Sequence, residues 1–303
     1  MRANMNKGIK KIIAGTDFSR AAANAVARAA LLAAEHGAEL LIIHVAPPLS
    51  KASLERLDFE NSIGLEPDPF IKRGLCDAEK MALSLGAKVT CAVENGAAAV
   101  VLAKAAMRVD ADVVVVGARG EGPSGNFGAG ATAESLVERS KRDVLIVASP
   151  AKTVYKHILA CVALGPVSGY VLKSTQAVRG SAAVNVLHVY DPLFEKNLIS
   201  NGAEQETVEQ YRLSEKREAA KATARLIEEW TPKGGQQPQV SLRRASSPSN
   251  PPYRVISIAA SQLKSDLIVI GKNQRTLKGL LLGNTTKHII HSIETDTLIS
   301  ATR

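Results

Sequence analysis

The chain has 303 residues, 46% of them hydrophobic, with a mean hydropathy of +0.01, which fits a soluble globular protein long enough for two cores. No apolar run approaches the ~18–20 residues of a membrane span, and Ile12 to Gly15 is too short for a signal-peptide core, so a cytoplasmic protein with no membrane partner is expected. The net charge of +9 is uneven, with 18 Lys+Arg against 17 Asp+Glu in residues 1–150 and 20 against 12 in residues 151–303; no RNP-like, helix-turn-helix or zinc-finger pattern accompanies the excess, so it reads as solvated surface and nucleic acid is not an expected partner.

Ile9 to Gly15 reads as a first strand, and Ser19 as the N-cap of an Ala-rich helix from Arg20 to about His36, closed by Gly37. Glu39 to Val45 is a second strand, stopped by Pro47-Pro48, and Leu49 to Asp68 reads as an irregular loop. Helical spacing resumes from Pro69 to Leu85, Lys88 to Val93 is a third strand, and Ala97 to Arg108 is a helix. Val113 to Val116, four consecutive valines, is the fourth strand. A loop with Gly117, Gly120, Gly122, Gly125, Gly128 and Gly130 follows, then a helix from about Ala131 to Ser140 and a fifth strand from Asp143 to Ala148. Strands alternating with helices imply a parallel sheet covered on both faces, complete by residue 150.

The rest of the chain repeats this order. H-I-L-A-C-V-A (157–163) answers K-I-I-A-G-T-D (11–17), and V-N-V-L-H-V (184–189) answers E-L-L-I-I-H-V, with His188 matching His44. S-D-L-I-V-I-G (265–271) answers A-D-V-V-V-V-G (111–117), and G-N-T-T-K-H-I (283–289) answers G-A-T-A-E-S-L (130–136). The offset drifts only from about 146 to 153, so the chain is a tandem duplication with domains at 1–150 and 151–303. The second copy adds a long polar helix, about Ala203 to Trp230, and a Pro/Ser-rich loop at 246–252 expected to be mobile.

A strand feeding a Gly-rich loop and then a helix suits phosphate, because glycines allow close backbone approach and the first helical amides point at the anion. The literal G-x-G-x-x-G at Gly120 to Gly125 is a poor dinucleotide fingerprint: it follows the fourth strand, contains Pro123, and opens no helix. No G-K-[ST] exists to make a Walker A loop. Gly117-x-x-Gly120, nine residues, then Gly130 resembles instead the G-2x-G-9x-G-[ST] signature of ATP-binding universal stress proteins. The lead-in from Ala106 to Ala111, the A-E-x-L-V helix and the N-terminal I-I-A-G-T-D-F-S also resemble that family, and the resemblance covers the whole chain as two tandem domains.

The resemblance implies two five-stranded, open, doubly wound α/β domains of the adenine-nucleotide-hydrolase-like type. It implies that Asp17 and the backbone around Thr16 hold the adenosine part of ATP or AMP, and that Val45 lines the adenine pocket. Gly117, Gly120, Gly130 and the amides of Ala131 and Thr132 would hold ribose and phosphates, with Mg²⁺ as a companion ion. The residue-level alternative for Asp17 is a helix cap. The family's Ser/Thr after the last glycine is Ala131 here, which removes a phosphate contact worth roughly 0.5–1.5 kcal/mol; Arg119 offers a charge within the loop. In the second copy Ala163 stands for Asp17, Gln274 for the second glycine and Asn284 for the Ser/Thr, so normal ATP binding is not expected there, and Lys272, Arg275 and Lys278 read as a solvated basic loop. The resemblance further implies pairing of fifth strands, Val144 to Val147 with Thr297 to Ser300, a homodimer built on that pseudo-dimer, and an unidentified regulatory partner.

Other candidates carry less. His288 and His291 share a helix face but lack a third ligand, so no metal site is expected. Cys76, Cys91 and Cys161 show no C-x-x-C spacing and read as small core residues. His44 and His188 suggest a repeated structural role. No nucleophile–base arrangement is visible, so a nucleotide-binding regulatory protein of the stress response is the leading reading. A slow ATPase or adenylate-handling enzyme, and a nucleotide-free scaffold, stay open beside it.

Overall fold

Two α/β units, Gly8–Val154 and Tyr155–Arg303, make up the chain. The computed structural model describes residues 8–47, 68–118, 129–165, 167–192, 194–231, 238–246, 249–272, 283–292 and 294–302. The first unit runs β1 (Lys11–Thr16), α1 (Arg20–His36), β2 (Glu39–Ala46), α2 (Pro69–Ser84), β3 (Lys88–Asn95), α3 (Ala98–Arg108), β4 (Val113–Gly117), α4 (Ala131–Arg139) and β5 (Asp143–Val147). All pairings are parallel, in the order β3-β2-β1-β4-β5. The expected order of elements is therefore present, with boundaries moved by one or two residues. Residues 49–67 of the expected loop lie outside the described residues, while Asp68 caps α2 by accepting from the Phe70 amide at 2.9 Å.

Local chemistry explains these elements. The four valines of β4 are 0–5% exposed, as a central parallel strand covered on both faces requires. Its neighbour β1 is equally buried at Ile12, Ile13 and Ala14. Helix α1 presents Ala25, Ala29, Ala30 and Ala33 to the sheet, and such small side chains allow close approach. Ser19 Oγ accepts from the Ala22 amide at 3.2 Å to start that helix, and Gly37 ends it at φ +65°, where a side chain would be strained. Contacts of α1 with α2, and of α3 with α4, place one helix pair on each face of the sheet.

The second unit runs β6 (His157–Val162), α5 (Ser168–Val178), β7 (Ala183–Tyr190), α6 (Glu195–Ser200), α7 (Gln205–Trp230), β8 (Gln239–Arg244), α8 (Pro252–Gln262), β9 (Leu267–Gly271), α9 (Asn284–Ser292) and β10 (Asp296–Ser300). Its parallel order, β8-β7-β6-β9-β10, repeats that of the first unit. One device recurs in both copies. Asp112 accepts from the amides of Lys10 and Lys11 at 2.7 and 3.1 Å, and Asp266 from those of Lys156 and His157 at 2.7 and 3.0 Å. Each carboxylate satisfies backbone donors where the first strand of its copy begins.

The second unit also buries a carboxylate fully, that of Asp296. Asp296 and Tyr155 are each 1% exposed, and the Tyr155 hydroxyl donates to Asp296 Oδ2 at 2.8 Å. Tyr155→Phe keeps the ring and removes one donor to a buried acid. It is expected to destabilise this unit by about 1.5–3 kcal/mol, measured by urea unfolding followed through Trp230, the single tryptophan, which is buried in the same unit.

Candidate functional site

The pairing of β1 with β4 covers Ile12–Val113, Ile13–Val114 and Ala14–Val115, while the strands run on to Thr16 and Gly117. Strand order reverses at this boundary, so a crevice opens at the carboxyl edge between the two strand ends, where open α/β sheets bind ligands. Each expected site residue in the described part lies along this edge.

Thr16 is buried and fully engaged. Its hydroxyl accepts from the Phe18 amide at 3.1 Å, and its carbonyl pairs with His44 Nδ1 at 2.9 Å. A carbonyl only accepts, so His44 carries its proton on Nδ1. Asp17 is exposed; its Oδ1 accepts from the Ser19 amide at 3.0 Å, and Oδ2 has no hydrogen-bond partner among the described residues. The helix cap is therefore Ser19 and not Asp17, which leaves a carboxylate at the mouth of the crevice. Val45, half-buried, lies one residue before the end of the adjacent strand β2.

On the β4 side, Gly117 is required by packing, because a Cβ there would lie 2.8 Å from the backbone of Ala21 in α1. Ala118 donates to the Val147 carbonyl at 2.8 Å and accepts from the Gly130 amide at 2.6 Å. This bond brings the end of the Gly-rich loop back beside its start. Gly120 and Arg119 lie outside the described residues. Gly130 is the N-cap of α4 and supplies no side-chain hydrogen bond, and Ala131 and Thr132 are exposed at the first turn. Among the described residues, the N-cap of α4 thus offers no side-chain acceptor such as α1 has in Ser19, and the helix dipole adds positive potential at the same place.

One cluster escapes sequence reading. Phe18 adopts φ +64°, its ring stacks on His44 at 4.5 Å and 18°, and Phe70 meets it edge-on at 5.8 Å. The available signal is the scarcity of phenylalanine, five in the chain, with one directly after Asp17.

The second copy keeps the scaffold and changes the edge. His188 Nδ1 pairs with the Val162 carbonyl at 2.9 Å, as His44 does with Thr16, and Leu164 takes φ +51° where Phe18 takes +64°. Lys272 N donates to the Ser300 carbonyl at 3.0 Å, as Ala118 does to Val147. Ala163 replaces Asp17, Cys161 replaces Gly15, and the Lys272 residue is buried where the first copy has Ala118; Gln274, Arg275 and Lys278 lie outside the described residues. Thr286 Oγ1 donates to the Gly271 carbonyl at 3.1 Å, a bond that Ala133, its counterpart, cannot make.

The cysteine expectation needs correction. Cys76 is exposed on α2, and Cys91 and Cys161 are only partly covered, so none of the three is fully buried in the core; burial still pushes the Cys91 thiol up to about 11 and the Cys161 thiol up as well. His288 stacks on Tyr253 at 4.4 Å.

A family model described as the universal stress protein family matches residues 8–148 and again 154–300. No curated protein matches the chain. Among solved structures, a functionally unknown protein from Pseudomonas aeruginosa PAO1 is 16% identical, with TM-score 0.65 over 98% of this chain and 93% of that one. A putative universal stress protein from Pseudomonas aeruginosa UCBPP-PA14 is 15% identical, with TM-score 0.65 over 98% and 94%. A universal stress protein from Archaeoglobus fulgidus DSM 4304 is 14% identical, with TM-score 0.63 over 96% and 97%. At such identities these likenesses show the fold alone.

The repeated histidine yields a pH prediction. Burial lowers the His188 pKa below the ordinary histidine value, so folding favours its neutral form. The associated stability is present above that ordinary value and is lost as pH falls through the unfolded pKa toward the lower folded one. The stability of the second unit, followed through Trp230, is expected to fall as pH drops below about 6.5, with His188→Gln showing a flatter profile.

Proposed function

Since the chain belongs to the universal stress protein family, we propose that it binds one adenine nucleotide, ATP or AMP, in the crevice of its first domain. The observation that carries this reading is that the turn after β1 and the loop leading to α4 follow two adjacent strands at one strand-order reversal, bringing two complementary groups to the same edge. Asp17 offers an exposed carboxylate, an acceptor for a ribose hydroxyl or an exocyclic amine. The start of α4, with Gly130 as a side-chain-free cap and Ala131 and Thr132 exposed, offers backbone donors for phosphate. Thr16 supports the turn through its hydroxyl and the β2 end at His44 through its carbonyl. Val45 provides apolar surface for the base, and Gly117 and Gly120 let the loop approach ribose and phosphates. Ala131 lacks a hydroxyl, which weakens phosphate binding by roughly 0.5–1.5 kcal/mol relative to a serine or threonine there. Mg²⁺ accompanies the phosphates when ATP is bound.

The second domain, without the acid at Ala163, binds no nucleotide in this manner and acts as a structural or regulatory partner. No described helix is long and apolar enough to cross a membrane; the proposed setting is the cytoplasm, with the chain acting as a homodimer. Nucleotide shifts the population of a conformation that a regulatory partner reads.

Calorimetry on the full chain is expected to detect ATP or AMP, and Asp17→Ala is expected to weaken binding about tenfold or more, as loss of a charged hydrogen-bond acceptor does. Absence of binding by the parent chain would leave the nucleotide-free scaffold. Single-turnover phosphate release with Mg²⁺, abolished by Asp17→Ala, would make the protein an ATPase.

A further inference from the structure

We infer that Phe18 is a positioning residue for Asp17, held by α2, so that this helix sets the nucleotide affinity of the site. The inference rests on the nucleotide reading for its functional consequence, and on the turn geometry for its mechanism. A non-glycine residue at φ +64° is unfavourable unless its surroundings hold it there. Three contacts do so for Phe18. The His44 ring lies parallel to it at 4.5 Å, and His44 is itself fixed by its bond to the Thr16 carbonyl, 2.9 Å away. Phe70, at the start of α2, meets the ring edge-on at 5.8 Å. Gly74, one turn further along α2, passes so near that a Cβ there would lie 2.6 Å from Phe18 Cδ1.

The residues on either side of Phe18 are bonded to each other, since Asp17 Oδ1 accepts from the Ser19 amide at 3.0 Å. A rotation at Phe18 therefore breaks the bond that orients the carboxylate. The second copy supports the division of labour. Leu164 keeps the left-handed conformation and His188 keeps the carbonyl bond, while the acid is gone. The backbone turn belongs to the scaffold, and the aromatic clamp accompanies the copy that has an acid to aim.

The test compares Phe18→Ala, Phe18→Leu and Gly74→Ala in the full chain, each with Asp17 intact and with Asp17→Ala. Leu164 adopts φ +51°, so leucine is sterically compatible with this turn, and Phe18→Leu removes the ring stack without forbidding the conformation, leaving the turn free to open. With Asp17 intact, each variant is expected to weaken ATP binding about tenfold, and with Asp17→Ala by no more than about twofold, the coupling expected of two residues acting as one unit. Equal weakening in both backgrounds would overturn the inference. A second readout needs no ligand: hydrogen exchange of the Ser19 amide is expected to accelerate in Phe18→Leu and Gly74→Ala. Unchanged Ser19 exchange would overturn the positioning role even if ATP binds. Accelerated exchange in a chain that binds no nucleotide would uphold it and refute the nucleotide reading instead.

Discussion

Three residue pairs hold β1 to β4, Ile12–Val113, Ile13–Val114 and Ala14–Val115, and beyond them the strands part. The buried apolar pairs fix the sheet, because β-branched residues covered on both faces tolerate no change of register. The parting then leaves Thr16 and Gly117 facing a crevice instead of each other. The connections that leave β1 and β4 run to opposite sides, from β1 toward β2 and from β4 toward β5, so the two outgoing turns part at this edge. The turn after β1 and the loop after β4 must both emerge there, bringing Asp17 and α4 to one edge from positions more than a hundred residues apart.

Tolerance for this convergence comes from small residues. Gly117 passes against the Ala21 backbone, and Gly15 leaves room for Leu102, whose Cδ1 would lie 2.8 Å from a Cβ there. The second copy shows which constraints are structural. It retains the three-pair register of β6 with β9, the glycine at Gly271 packed on Val167, and the histidine-to-carbonyl bond. It gives up Asp17 for Ala163 and Gly15 for Cys161, and it buries Lys272. Scaffold and ligand chemistry are thus separable within one chain: duplication preserved the crevice and only one copy kept the acid.

Legibility in the sequence followed apolar content. The four-valine β4, the Ala-rich α1 and the repeated A-D and S-D lead-ins to β4 and β9 were readable because each carries a long or doubled signal. Strand β8, Gln239–Arg244, was not, since an edge strand with only Val240 and Leu242 as apolar residues carries too short an alternation to stand out. The six-residue α6 is too short to show a helical period. At the site, Ser19 was legible as the cap of α1, and the structure places it there, whereas the role of Asp17, for which a helix cap was the residue-level alternative, came from geometry, since its carboxylate closes a turn. The Phe18–His44–Phe70 stack joins residues from three elements, and no local spacing encodes such a contact.

The central claim is that a carboxylate and an uncapped helix start, met at a strand-order reversal, make one nucleotide site in a chain with two similar crevices. Native mass spectrometry of the full chain with ATP counts occupied sites directly. A single bound nucleotide per chain is predicted, with affinity about tenfold or more lower in Asp17→Ala. Two nucleotides per chain, or one bound with unchanged affinity in Asp17→Ala, would contradict it.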